Sequence, residues 1–97
     1  MKNLDEIMDV LKRQKGELKE RFKVKDIGVF GSYVKEEQRR GSDIDVVVEF
    51  EEPIGLFEFI RLETHLSNLL GVKVDLVSKK ALKPKIGEHV LKEVVYA

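Results

Sequence analysis

The chain predicts a two-layer α/β (α+β) domain in which helices pack on one face of a small mixed sheet. Three features predict it: apolar residues at helical spacing in three stretches, strict apolar–polar alternation in two others, and a short apolar run closed by glycine. The expected order is α-β-α-β-α-β-α, with residues 1–97 forming one domain.

Asn3, with Glu6 three residues on, has the form of an N-cap and capping-box partner. Ile7, Val10, Leu11, Leu18 and Phe22 then follow at helical spacing, which predicts a first helix over about residues 4–22. Ile27, Val29 and Phe30 form a buried strand that Gly31 ends in a tight turn. The polar stretch Tyr33–Arg40 is expected as a short helix. From Asp43 the alternation is strict: Ile44, Val46, Val48 and Phe50 point one way, and Asp43, Asp45, Val47 and Glu49 the other. After Pro53 and Gly55, an amphipathic helix is marked by Leu56, Phe59, Ile60, Leu62, Leu66, Leu69 and Leu70, with Gly71 placed to terminate it. Phe57 is one apolar residue more than that stripe needs, and core packing is its expected role. Val72, Val74 and Leu76 alternate with Lys73, Asp75 and Val77 in a third strand. Beyond Pro84, a closing helix is read from Ile86, Val90, Leu91 and Val94.

At 97 residues, 42% hydrophobic and 37% charged, the chain has the size and balance of one globular domain with a heavily charged surface. Eighteen basic side chains cancel eighteen acidic ones, so no overall field draws the protein to nucleic acid or to an anionic membrane. Without cysteine it has no disulfide framework, thiolate metal site or cysteine nucleophile. Asp5, Glu6 and Asp9 interrupt the apolar run a secretory signal requires, and no stretch approaches membrane-spanning length. A cytoplasmic protein is expected. His65 and His89 lack ligand spacing and read as surface helix residues. Lys79, Lys80, Lys83 and Lys85 read as a solvated segment.

The chemistry lies in two pairs. Ten residues separate Gly31-Ser32 from Asp43-x-Asp45. On a strand, Asp43 and Asp45 project to one side roughly 7 Å apart, and if the next strand joins the same sheet, Asp75 emerges beside them. Carboxylates aimed at one point suit Mg²⁺, which is usually held by one or two of them together with substrate phosphates. Glycine admits close approach of backbone to a phosphate, and the Ser32 hydroxyl adds a donor. Lys35, Arg39 and Arg40 are nearby candidates for neutralising a leaving pyrophosphate. Together these features suggest nucleotide phosphoryl or nucleotidyl transfer.

Gly31-Ser32, the ten-residue interval, Asp43-Ile44-Asp45, the run Val46–Phe50 and later Val74-Asp75-Leu76-Val77 resemble the minimal nucleotidyltransferases of the DNA polymerase beta superfamily, over nearly the whole chain. Tyr33, Val34 and Lys35 stand where that family often carries an arginine. The resemblance implies that Gly31 and Ser32 bind the nucleotide phosphates and that Asp43, Asp45 and Asp75 are catalytic carboxylates that bind Mg²⁺. Small members are often antitoxins partnered with all-helical HEPN toxins. The implied activity is transfer of AMP from ATP to a toxin tyrosine. Two alternatives are a non-catalytic antitoxin acting by occupancy, and a subunit of a small-molecule, antibiotic-modifying nucleotidyltransferase.

Overall fold

The computed structural model describes residues 3–35, 37, 43–82 and 84–97, with no side chain described at 84–86. Its first helix, α1 (Leu4–Phe22), starts where the Asn3 side chain accepts a hydrogen bond from the Glu6 N–H at 2.9 Å. It stops at Lys23, which takes the left-handed conformation (φ 59°) and donates its N–H to the carbonyls of Leu18 and Lys19. Ile7, Leu11 and Leu18 turn one face of α1 fully into the core.

Four strands form the sheet: β1 (Val24–Phe30), β2 (Ile44–Phe50), β3 (Val74–Ser78) and β4 (Val95–Tyr96), in the order β3-β2-β1-β4. The sheet is mixed, because β2 and β3 run parallel while β1 is antiparallel to both β2 and β4. The parallel pair is joined by the helix α2 (Leu56–Leu70), as parallel neighbours require. Leu62, Leu66 and Leu70 bury the inner stripe of α2, and Gly71 closes it with φ 68°. These leucines meet Ile7, Leu11 and Leu18 of α1 and the inward rows of the sheet, among them Ile27, Val29, Ile44, Val46, Val48, Val74 and Leu76, in one cluster. Burying each such side chain stabilises the domain by about 1.5–3 kcal/mol. The last helix is α3 (Pro84–Glu93).

Four details depart from the pattern read in the sequence. β1 begins at Val24 rather than Ile27. The segment from Tyr33 starts with a 3₁₀ turn at Gly31–Tyr33, and the Tyr33 ring is buried in the core. Residues 36 and 38–42, including Arg39 and Arg40, lie outside the described residues, as does Lys83. A fourth strand is present, and on α2 Leu56 and Phe57 are exposed, Phe57 by 78%. Phe57 lies off the Leu62–Leu66–Leu70 stripe, so helical geometry carries it away from the core.

On the sheet face opposite α1 and α2, Val47 is buried outside the main cluster, and its β1 partner Gly28 pairs with Tyr96 of β4. A Cβ at Gly28 would collide with Val94 Cγ1 and stand 3.0 Å from the Val95 carbonyl oxygen. Gly28→Val places a strand-favouring residue in a strand and should nevertheless lose about 1–3 kcal/mol, the cost of overpacking. Urea unfolding measures the loss, and full native stability in the variant contradicts this packing of the chain's last segment.

Candidate functional site

β1 delivers the chain to Gly31, β2 carries Asp45 near its start, and β3 carries Asp75 near its own. The register aligns these points across the sheet: Phe30 pairs with Asp45, and Asp45 pairs with Asp75. Adjacent strands lie about 4.8 Å apart, so a row of Phe30/Gly31, Asp45 and Asp75 crosses three strands at one height. Asp43, two residues before Asp45, belongs to the same face. The core side chains Ile44, Val46, Val74 and Leu76 alternate with these aspartates and fix which way they point.

Gly31 is indispensable to this row. Its φ is +77°, a left-handed conformation that suits glycine, and a Cβ there would strike the Asp45 carboxylate. The turn that follows is tightened by the Gly31 carbonyl, which accepts from the N–H groups of Val34 (3.1 Å) and Lys35 (3.2 Å). The Ser32 carbonyl accepts from Glu37 N–H at 2.8 Å. This brings Gly31-Ser32 back against β2 at the height of Asp45.

Electrostatics give an independent sign of the clustering. Partial burial, followed by repulsion from Asp75 and then Asp43, holds the Asp45 carboxyl above its ordinary value. Among the described residues no lysine, arginine or histidine forms an ion pair with Asp43, Asp45 or Asp75. Lys35 instead reaches Glu93 of α3 at 3.5 Å. The site therefore collects negative charge that no side chain described here offsets, the condition a cation relieves. Among the described residues, no group of three or more acidic, histidine or cysteine side chains is placed to hold a metal ion by itself, so the convergence of the three aspartates rests on strand register and on the repulsion felt at Asp45.

An apolar groove of about 340 Å³, lined by Phe50, Pro53, Ile54, Leu56 and Phe59 among others, lies at the far end of β2 and contains none of these aspartates. His65 packs on the Phe22 ring, with centroids 5.4 Å apart, and His89 is solvent-exposed beside Glu93. Neither approaches the aspartates through any contact described. Two polar residues of α2 that the sequence pattern leaves unremarked, Glu63 and Ser67, contact β3 next to Asp75. On a helix, a polar residue beside a leucine stripe ordinarily reads as solvent-facing, so spacing alone carries no sign of this contact.

A family profile described as the nucleotidyltransferase domain matches residues 11–97. The protein adenylyltransferase MntA of Thermococcus cleftensis is 53% identical over 96 residues, which are 99% of this chain and 97% of that one. A solved structure provisionally described as a minimal nucleotidyltransferase superimposes with a TM-score of 0.75 at 37% identity, covering 92% of this chain and 93% of that one. A crystal structure of a toxin–antitoxin with AMP-PNP superimposes with a TM-score of 0.70 at 25% identity, covering 95% of this chain and 69% of its own. The resemblance to nucleotidyltransferases is borne out, and the chain belongs to the nucleotidyltransferase domain family.

Proposed function

We propose that this protein is the antitoxin of a toxin–antitoxin pair and transfers AMP from ATP to a tyrosine hydroxyl of an all-helical HEPN toxin, with Mg²⁺ as cofactor. The observation that carries the reading is the row Gly31, Asp45 and Asp75, aligned across three strands with uncompensated charge on Asp45. The Thermococcus relative, a protein adenylyltransferase by name, supports a protein acceptor. The neighbour with AMP-PNP, an ATP analogue, supports ATP and a toxin partner. We place the reaction in the cytoplasm, where ATP is supplied. No helix among the described residues is long and apolar enough to cross a membrane.

In this reading Asp43, Asp45 and Asp75 would hold the metal together with phosphate oxygens of the nucleotide, and Gly31 and Ser32 would receive the triphosphate through backbone and hydroxyl donors. Bound Mg²⁺ supplies neutralisation of the phosphate charge that grows as the α–β bond breaks. Asp75, exposed on the outer strand of the pair, would take the proton of the incoming tyrosine hydroxyl. The tyrosine oxygen bonds to the α-phosphorus as the bond to the β-phosphate breaks. Pyrophosphate leaves, and one AMP remains on the toxin.

The test combines the protein with a co-expressed helical partner, ATP and Mg²⁺, and weighs the partner by mass spectrometry. A gain of whole AMP units, dependent on Mg²⁺ and located on tyrosine by fragmentation, is the expected result. A partner silenced without any mass change would assign neutralisation to occupancy and overturn the catalytic reading.

A further inference from the structure

Among the described residues, β3 is the outer strand of the sheet and pairs only with β2. The Ile44 N–H donates to the Lys73 carbonyl at 2.9 Å, which sets the alternation of the parallel ladder. Lys73, Asp75 and Val77 direct their peptide groups to β2, and Val74 and Leu76 direct theirs to the open edge. Such edge groups ordinarily meet water or another chain. Here they meet α2. The Val74 N–H donates to Ser67 Oγ at 3.0 Å, and the Leu76 N–H donates to Glu63 Oε2 at 3.0 Å. Ser67 Oγ in turn donates to the Glu63 backbone carbonyl at 2.9 Å, one helical turn back, which orients the hydroxyl toward Val74. The residue between the two tethered N–H groups is Asp75.

Like charges at paired positions on neighbouring strands repel, and Asp45 and Asp75 are paired. Val74 and Leu76 anchor the side chains of β3 in the core, while its backbone is laddered to a strand on one side only. The two side chains of α2 supply a second side. Glu63 has no ion-pair partner among the described residues, so its stated role is this one hydrogen bond. We propose that Glu63 and Ser67 are positioning residues, which tether β3 on both sides of Asp75 and hold its carboxylate at the height of Asp45. The inference rests on the proposed role of Asp43, Asp45 and Asp75 as the metal and nucleotide site.

The experiment uses the full chain without ATP, which would itself chelate the ion, and follows Mn²⁺ binding by electron paramagnetic resonance of the free ion. Amide hydrogen exchange at Leu76 and circular dichroism run in parallel. Wild type, Asp45→Asn and Asp75→Asn come first. If wild-type Mn²⁺ binding is unaffected by both aspartate variants, the site itself is wrongly assigned and the positioning role falls with it. If binding depends on them, the Glu63 variants decide. Glu63→Ala should weaken Mn²⁺ binding about tenfold or more, the size typical of losing a group that orients a metal ligand. Glu63→Gln should stay within about twofold of wild type, because its amide oxygen accepts the same N–H. Leu76 exchange should quicken in the alanine variant and not in the glutamine variant. Ser67→Ala should weaken binding in the same direction by less, and it carries the test if Glu63→Ala does not fold. Faster Leu76 exchange with unchanged Mn²⁺ affinity would reduce the tether to edge protection and overturn the proposal. A glutamine variant as weak as the alanine one would also overturn it, since charge rather than placement would then be responsible. Glu58→Ala, on the exposed face of α2 and paired with Arg61, controls for loss of a helix carboxylate.

Discussion

Asp45→Asn should abolish AMP transfer while leaving a folded protein more stable than wild type in the absence of metal. The loss of activity should be on the order of 10³-fold, beyond the 10–100-fold typical of removing a partner that only supports a metal ligand. The gain in stability follows from linkage. The native state holds the Asp45 carboxyl above its model value of 3.8, so the folded protein binds that proton more tightly than the unfolded chain does. Stability from this group is therefore greatest at pH below the unfolded value and falls as pH rises toward the raised native one. Above that value the whole penalty of an ionised, partly buried carboxylate beside Asp75 and Asp43 is present. Removing the charge should raise the metal-free Tm at pH 7 by a few degrees and change it little near pH 3. Adding Mg²⁺ with ATP should stabilise wild type and not the variant. A metal-free variant less stable than wild type at pH 7 contradicts the account of Asp45 as an uncompensated charge. Such an exchange of stability for function is common at active sites.

The second large effect is expected at Gly31, where a single methyl group is enough. Gly31→Ala forces a side chain into a backbone conformation with φ +77°, which costs about 1–2 kcal/mol for an L-residue. It also drives the new Cβ into the Asp45 carboxylate, so either the turn or Asp45 must move. Displacing a reacting group by as little as 1 Å can cost about 10²-fold, and AMP transfer should fall by at least that much. Steady-state rates and thermal unfolding separate the two consequences. Ser32→Ala, which leaves the turn's geometry intact, should retain native stability and lose part of the affinity for ATP. An alanine at position 31 that preserves the wild-type rate removes the case for close approach at this turn.

The carboxylates were legible because strands have a period of two. Once Ile44, Val46 and Val48 are assigned to the core, Asp43 and Asp45 have only one face left, and the same holds for Asp75 between Val74 and Leu76. The helices were legible at their ends, since Asn3 caps α1 and Gly71 closes α2 with the expected bonds. Other features carry no periodic signal. Val95–Tyr96 is too short to alternate, so β4 exists because β1 offers it an edge. Lys25 and Asp26 disguise the start of β1, because Val24 is the only buried residue there. Tyr33 looks polar in sequence and is buried, because the turn after Gly31 folds it back onto the core. Glu63 reads as a solvent residue and instead bonds to a strand thirteen residues away. Each of these outcomes is decided by a distant neighbour.

The parallel pairing of β2 and β3 also predicts an order of assembly for the domain. β1 and β2, which bring Gly31 to Asp45, can meet as an antiparallel pair before the rest of the sheet exists. Asp75 is expected to join later, because pairing β3 with β2 requires the chain from Glu51 to Lys73 to close a longer loop. A nascent or partly opened molecule would thus carry Asp43 and Asp45 in place and lack Asp75. Under the proposed role of these aspartates, the first AMP transfer in a refolding experiment should lag behind the recovery of helix signal.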